Sequence, residues 1–215
     1  MQMPNEQLLA VMREAYPCRH FGSCRQAKFD PKAGHVPRGF IGATGELRNV
    51  EAIFIMAEPG HPHPDEHYSE TAPTDLLSQA LLHTYKSYRD GTDLFHRNMR
   101  WVMDQIWPGS FDEKLGRVWI TEGRLCSIDS EIGAFDDKLC SPTYLGRQID
   151  LLPSAAIVLF GGKARQRVAG LPALEGRVVI EARALAPPGA NQRLSRPSWQ
   201  NAIDIIQLRQ VSHAA

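Results

Sequence analysis

A three-layer α/β/α sandwich built on a central, mostly parallel sheet is the fold class this sequence predicts, and three observations predict it. Residues 53–56, 118–121 and 155–160 are short, largely apolar runs, the pattern of strands buried on both faces under helices. Segments with apolar residues at helical spacing alternate with them, as a three-layer α/β chain requires. Each run ends abruptly on polar or turn-forming residues: Glu58-Pro59-Gly60, Glu122, and Gly161-Gly162. These breaks fall at the strand C-termini, where open α/β sheets place their sites. Strand order is not encoded in this alternation.

In chain order, residues 4–15 predict a first helix with Leu8, Leu9, Val11, Met12 and Ala15 on its apolar side. Residues 16–42 carry Pro17, Pro31, Pro37, Gly34 and Gly39 and read as a long irregular stretch, a length that calls for a function or an internal staple. Arg25, Lys28, Lys32 and Arg38 make it basic. The first strand, residues 52–56, follows, and then a loop rich in His, Pro and acids that contains His61, His63 and His67. Pro73 suits a first helical turn, and Leu76, Leu77, Ala80, Leu81 and Thr84 repeat at helical spacing up to Asp90-Gly91. Phe95, Met99, Val102 and Ile106 predict a further amphipathic helix stopped at Trp107-Pro108-Gly109. The second strand delivers Glu122 and Cys126 to a polar loop. A helix over residues 142–152 presents Leu145, Ile149 and Leu152 inward. A third strand passes through Gly161-Gly162 into a short helix over 163–168. The last strand starts over residues 177–180. Then a rigid loop, Ala186-Pro187-Pro188-Gly189-Ala190-Asn191, leads to a final helix beginning near Ser195, with Trp199, Ala202, Ile203 and Ile206 as its buried stripe.

At 215 residues the chain fits one domain, 1–215, that buries roughly 70% of its extended surface. Lys and Arg total 24 and balance 24 Asp and Glu, with 43% hydrophobic residues, so the composition is that of a globular protein without whole-molecule attraction to nucleic acid or membrane. No run approaches 18 apolar residues and the N-terminus has no basic segment leading into an apolar one. The expectation is a cytoplasmic monomer without a membrane partner. Cysteines stand at positions 18, 24, 126 and 140. Two separated pairs of thiols suit zinc or an iron–sulfur cluster, and four unrelated buried thiols are the alternative.

These residues carry a resemblance. The strand ending in Pro-Gly, the stretch Trp119-Ile-Thr-Glu-Gly-Arg-Leu-Cys126, Cys140 with Tyr144-Leu145 and Gln148-Ile149, the stretch Ile157-Val-Leu-Phe-Gly-Gly-Lys-Ala164, and the proline-containing loop before the last helix together resemble the uracil-DNA glycosylase superfamily, nearest its iron–sulfur-containing bacterial and archaeal branches. The resemblance spans nearly the whole chain. It implies one glycosylase-like domain, a [4Fe–4S] cluster on Cys18, Cys24, Cys126 and Cys140, DNA as partner, and hydrolysis of the N-glycosidic bond of uracil or a related deaminated or damaged base. Two other readings stand beside it: a glycosylase fold that binds nucleic acid without cleaving it, and a hydrolase of small-molecule glycosides.

The resemblance also implies site residues. Ala57 and Glu58 fall where the superfamily activates water and grips the base. Ala57 departs from the acid of the nearest branch, which leaves Glu58 as the catalytic candidate with His61. Tyr68 is the candidate for stacking on the base, and Glu122 stands where an asparagine often reads the uracil edge. Ala186 replaces the histidine of the usual closing motif, in the loop that runs to Asn191. Backbone N–H groups near Gly60 are placed to offset charge on a leaving base. Arg38, Arg193 and Arg196 are the expected DNA-phosphate contacts.

Overall fold

The computed structural model describes residues 1–21, 24, 28–69, 72–126 and 139–214; Arg25 lies outside them. Five strands form one sheet in the order β1-β3-β2-β4-β5, with β1 at Ile41–Gly42, β2 at Ala52–Met56, β3 at Val118–Glu122, β4 at Ala156–Phe160 and β5 at Val179–Ala182. The strands β3, β2, β4 and β5 run parallel, and β1 is an antiparallel edge on β3. The sheet is therefore mixed, between helical layers on both faces.

The strand pattern explains the layers. Every residue of β2, β3 and β4 is buried, and successive side chains go to opposite faces. Ile53, Ile55, Trp119, Ile157 and Leu159 pack with Leu8, Met12, Leu77, Leu81, Tyr144 and Ile149 on one side. Phe54, Ile120, Val158 and Phe160 pack with Met99, Val102, Trp107, Trp199 and Ile203 on the other. The first face is covered by α1 (Glu6–Arg13), the N-terminal part of α2 (Pro73–Asp90) and α5 (Gly146–Asp150); the second by α3 (Leu94–Ile106) and α7 (Ser195–Ala214).

Local chemistry sets the helix ends. Pro73 sits in the first turn of α2, and Gly91 closes it in the left-handed conformation at φ 63°, as a glycine after a helix can at little cost. Asp93 caps α3 by accepting the His96 N–H at 2.9 Å. Two elements go beyond the sequence expectation: β1 ends the stretch read as irregular, and the short α4 (Phe111–Leu115) is started by a capping box between Ser110 and Glu113. The helix expected over 142–152 is a wider turn at Ser141–Leu145 that continues into α5. A further short helix, α6 (Gly162–Val168), follows β4. Among the described residues no helix is long and apolar enough to cross a membrane.

Candidate functional site

The parallel strands all end on one edge, and the chain leaves that edge through the loops that wall a cavity of about 550 Å³. Arg38, Ala57, Glu58, Gly60, His61, Glu122 and Ala186 line it, so seven of the residues expected from sequence meet in one place. Tyr68, Asn191, Arg193 and Arg196 do not line it. Asn191 and Arg193 are exposed, and the Arg196 guanidinium lies 4.1 Å over the Trp101 ring and 5.2 Å over that of Trp199.

Two carboxylates face the cavity from neighbouring strands. Glu122 is the last residue of β3 and pairs in register with Met56 of β2. Pairing continues past the strand ends, Gly123 N–H to Met56 O at 2.7 Å and Arg124 N–H to Ala57 O at 2.9 Å, which fixes the two acid-bearing loops against each other. Glu122 is 3% exposed, and its Oε2 has no hydrogen-bond partner among the described residues. Burial pushes its pKa well above the ordinary carboxylate value, the Glu58 charge adds to that, and the Arg38 cation opposes it. The direction of that shift favours the neutral acid, the form that carries an O–H to donate.

Glu58 is held differently. Arg167 on α6 donates to Glu58 Oε2 from Nε at 3.0 Å and from a terminal nitrogen at 2.8 Å, in a pair whose side chains are 14% and 9% exposed. Arg38, expected to reach a phosphate, is turned inward. It pairs with Glu66 at 2.9 Å and donates to the Gly60 carbonyl at 2.6 Å. Tyr68, expected to stack on a base, is buried and donates its hydroxyl to the same Glu66 at 2.5 Å. Glu66 in turn accepts from the His63 N–H at 3.1 Å. Arg38, Glu66 and Tyr68 thus anchor the histidine loop to the wall of the cavity.

A second group of polar residues, absent from the sequence expectation, lines the same cavity: Glu66, His83, Asp93 and His96, with His63 from the histidine loop. Asp93 lies 2.9 Å from His96 Nδ1 and 3.6 Å from His63 Nε2. Burial works to raise the Asp93 pKa, but hydrogen bonds from the His96 ring and backbone, with the His96 and His63 charges, outweigh it and hold the carboxyl at about 2. The signal for this group was available in the sequence: Asp93 and His96 are three apart at a helix start, a spacing that puts both on one side, downstream of a loop already dense in histidine.

The cysteines correct an expectation. Iron–sulfur clusters are held by a set of cysteine thiolates, yet among the described residues the metal-ligating atoms that lie within 4.8 Å of one another belong to His63, Asp93 and His96. That set is nitrogen and oxygen, so the [4Fe–4S] cluster expected on Cys18, Cys24, Cys126 and Cys140 is overturned, and with it the iron–sulfur character of the chain. The sulfurs have other roles. Cys18 Sγ accepts from Tyr144 O–H at 3.1 Å and His20 N–H at 3.4 Å, and Cys140 Sγ from Leu125 N–H at 3.4 Å. Burial pushes the Cys126 thiol well above its usual value and the Cys140 thiol up to about 12, so both are neutral, packed thiols. All four cysteines are free of disulfides.

No family model and no curated protein matches the chain. Among solved structures it is similar to a solution NMR structure from Methanosarcina acetivorans described as a "putative Uracil DNA glycosylase", at 15% identity and a TM-score of 0.42, over 80% of this chain and 96% of that one. At that identity and score the likeness assigns neither family nor activity.

Proposed function

We propose that the cavity binds a deaminated or damaged nucleobase, uracil or a relative, and hydrolyses its N-glycosidic bond, within one glycosylase-like domain that spans residues 1–215 and acts on DNA as a monomer. The observation that supports this reading is the convergence of Glu58, paired with Arg167, and Glu122, buried with an unpartnered oxygen among the described residues, on one cavity. Its volume, about 550 Å³, falls in the range of small-molecule pockets and accommodates a base drawn out of its stack. The protonated Glu122 donates to a carbonyl on the base edge. Glu58, oriented by Arg167, positions a water and offsets the positive charge that develops on the sugar as the bond breaks. His61 and the backbone near Gly60 face the charge that develops on the departing base, in place of the imidazole that Ala186 lacks. Arg193 is exposed and free to approach a phosphate.

One observation favours a second reading, in which the cavity binds nucleic acid without cleavage: both Arg167 donors converge on a single Glu58 oxygen, the arrangement of a structural ion pair. Single-turnover release of base from oligonucleotides bearing uracil, hypoxanthine, xanthine or thymine mismatches separates the two. Glycosidic cleavage predicts release of at least one base, reduced roughly ten- to a thousandfold by Glu58→Gln, with DNA affinity held. DNA binding with no release, unaltered by Glu58→Gln, establishes the binding module instead. Absence of binding to single- and double-stranded DNA at low salt, where phosphate contacts are strongest, moves the chemistry to small glycosides.

A further inference from the structure

We propose that His63, Asp93 and His96 form a binding site for a first-row divalent transition cation of the zinc class, with a coordination position that opens into the cavity. The site shares its cavity with the proposed hydrolase, but donor geometry alone carries it.

Three segments supply the donors. The loop after β2 brings His63, and its backbone N–H is fixed on the buried Glu66. The turn between α2 and α3 brings Asp93, immobilised as the helix cap. The first turn of α3 brings His96, whose ring makes a T-shaped contact with that of Tyr88, centroids 4.7 Å apart. Asp93 and His96 are therefore oriented before any ion arrives, and the backbone that carries His63 is fixed beside them, the condition for a well-defined metal site. Their ligand atoms all lie within 4.8 Å of one another. Two donors on one tetrahedral zinc, each at about 2.0–2.2 Å, are separated by roughly 3.4 Å. The 3.6 Å from His63 Nε2 to Asp93 Oδ2 meets that directly. The 2.9 Å from His96 Nδ1 to Asp93 Oδ1 is a hydrogen-bond distance that widens by about half an ångström when an ion replaces the shared proton.

Donor chemistry narrows the ion. Two imidazoles and one carboxylate suit zinc, cobalt, nickel or iron(II), whereas magnesium and calcium take oxygen ligands. Three protein ligands leave room for water, the arrangement of catalytic zinc sites, since structural sites close with four.

A second observation points to a ligand here. The Tyr88 residue is 1% exposed and lines the cavity, and its hydroxyl has no hydrogen-bond partner among the described residues. It lies in the field of both Asp93 and Glu122. A buried orphan hydroxyl calls for a polar partner, and a water on an ion held by Asp93 supplies one.

Cobalt(II) titration of the full chain, freed of metal by a chelator, tests the assignment. The expected result is one cobalt per chain, visible d–d bands without an intense thiolate charge-transfer band, and competition by zinc. Asp93→Asn keeps a helix-capping acceptor, and it should lower affinity by at least roughly tenfold, the scale on which metal-site changes act. His96→Gln should do the same, while His67→Gln, on an exposed side chain outside the cavity, should leave affinity unchanged. Circular dichroism of each variant confirms that its fold persists. Absence of saturable cobalt binding overturns the site, as does a thiolate band that survives both substitutions, or an affinity that neither Asp93→Asn nor His96→Gln changes. Because binding is read directly, failure of base release leaves this result standing.

Discussion

Glu58 and Glu122 leave adjacent parallel strands at the same edge and face the same cavity, yet their surroundings treat them oppositely. Glu58 has a guanidinium against it, with two donors on one oxygen. Glu122 is more deeply buried, has an oxygen without a partner among the described residues, and is pushed to the neutral form. The difference originates one layer out. The helix α6 brings Arg167 over Gly123, where an added Cβ would stand 2.6 Å from the Arg167 Cβ, so the arginine passes Glu122's own loop to reach Glu58. Gly39 closes over Glu122 instead: a Cβ there would come within 2.8 Å of Oε1 and 2.9 Å of Cγ. One acid is ion-paired with a guanidinium and the other is pushed toward the neutral form by dry packing, so two carboxyls on one cavity wall sit in opposite environments.

The largest effect should come from taking the partner away. Arg167→Ala leaves Glu58 nearly buried and unpaired, and breaking a buried pair costs about 3–5 kcal/mol. Urea unfolding should show that loss, with part of it recovered in the double variant Arg167→Ala/Glu58→Gln; a loss below about 1 kcal/mol would mean that the pair is not what holds Glu58.

Pressing on the other acid should cost less. Gly39 has φ 87°, a conformation that disfavours any side chain, so Gly39→Ala combines backbone strain of about 1–3 kcal/mol with displacement of Glu122. Base or DNA affinity should fall with stability. Retained affinity would separate Glu122 from ligand recognition.

The third effect is the one that depends on pH. With the Glu122 pKa raised in the folded state, the folded chain keeps a proton that the unfolded chain releases above roughly pH 4.3. Its contribution to stability is complete below that pH and is lost as pH rises toward the folded value, at no more than about 1.4 kcal/mol per pH unit. Wild-type protein should therefore lose stability relative to Glu122→Gln between about pH 5 and 7. Parallel curves would place the charge on Glu122 in both states.

The sheet was legible because β2, β3 and β4 are buried on both faces and read as unbroken apolar runs, and their ends located the cavity. β1 was not, because two residues held by antiparallel pairing leave no periodic trace. α4 was marked by Ser110 and Glu113, a capping box three residues apart that was not read. Glu58, His61, Glu122 and Ala186 line the cavity because they lie at strand ends or within a few residues of them. Arg167, Glu66, Asp93 and His96 come from helices and loops that only the fold brings near, so their meeting leaves little mark on spacing. Arg38 was expected on a phosphate and Tyr68 against a base, yet both turn onto Glu66, because a buried carboxylate recruits donors from any nearby segment. The cysteines show the reverse error: conspicuous as two pairs in sequence, Cys18 and Cys140 are hydrogen-bonded through sulfur and Cys126 is a buried thiol.

The contrast between the two carboxyls is tested most directly by infrared difference spectroscopy of the carboxyl C=O stretch at neutral pH. A protonated-carboxyl band should be present in the wild type, persist in Glu58→Gln and vanish in Glu122→Gln. A band that vanishes in Glu58→Gln and survives in Glu122→Gln would reverse the assignment and contradict the account.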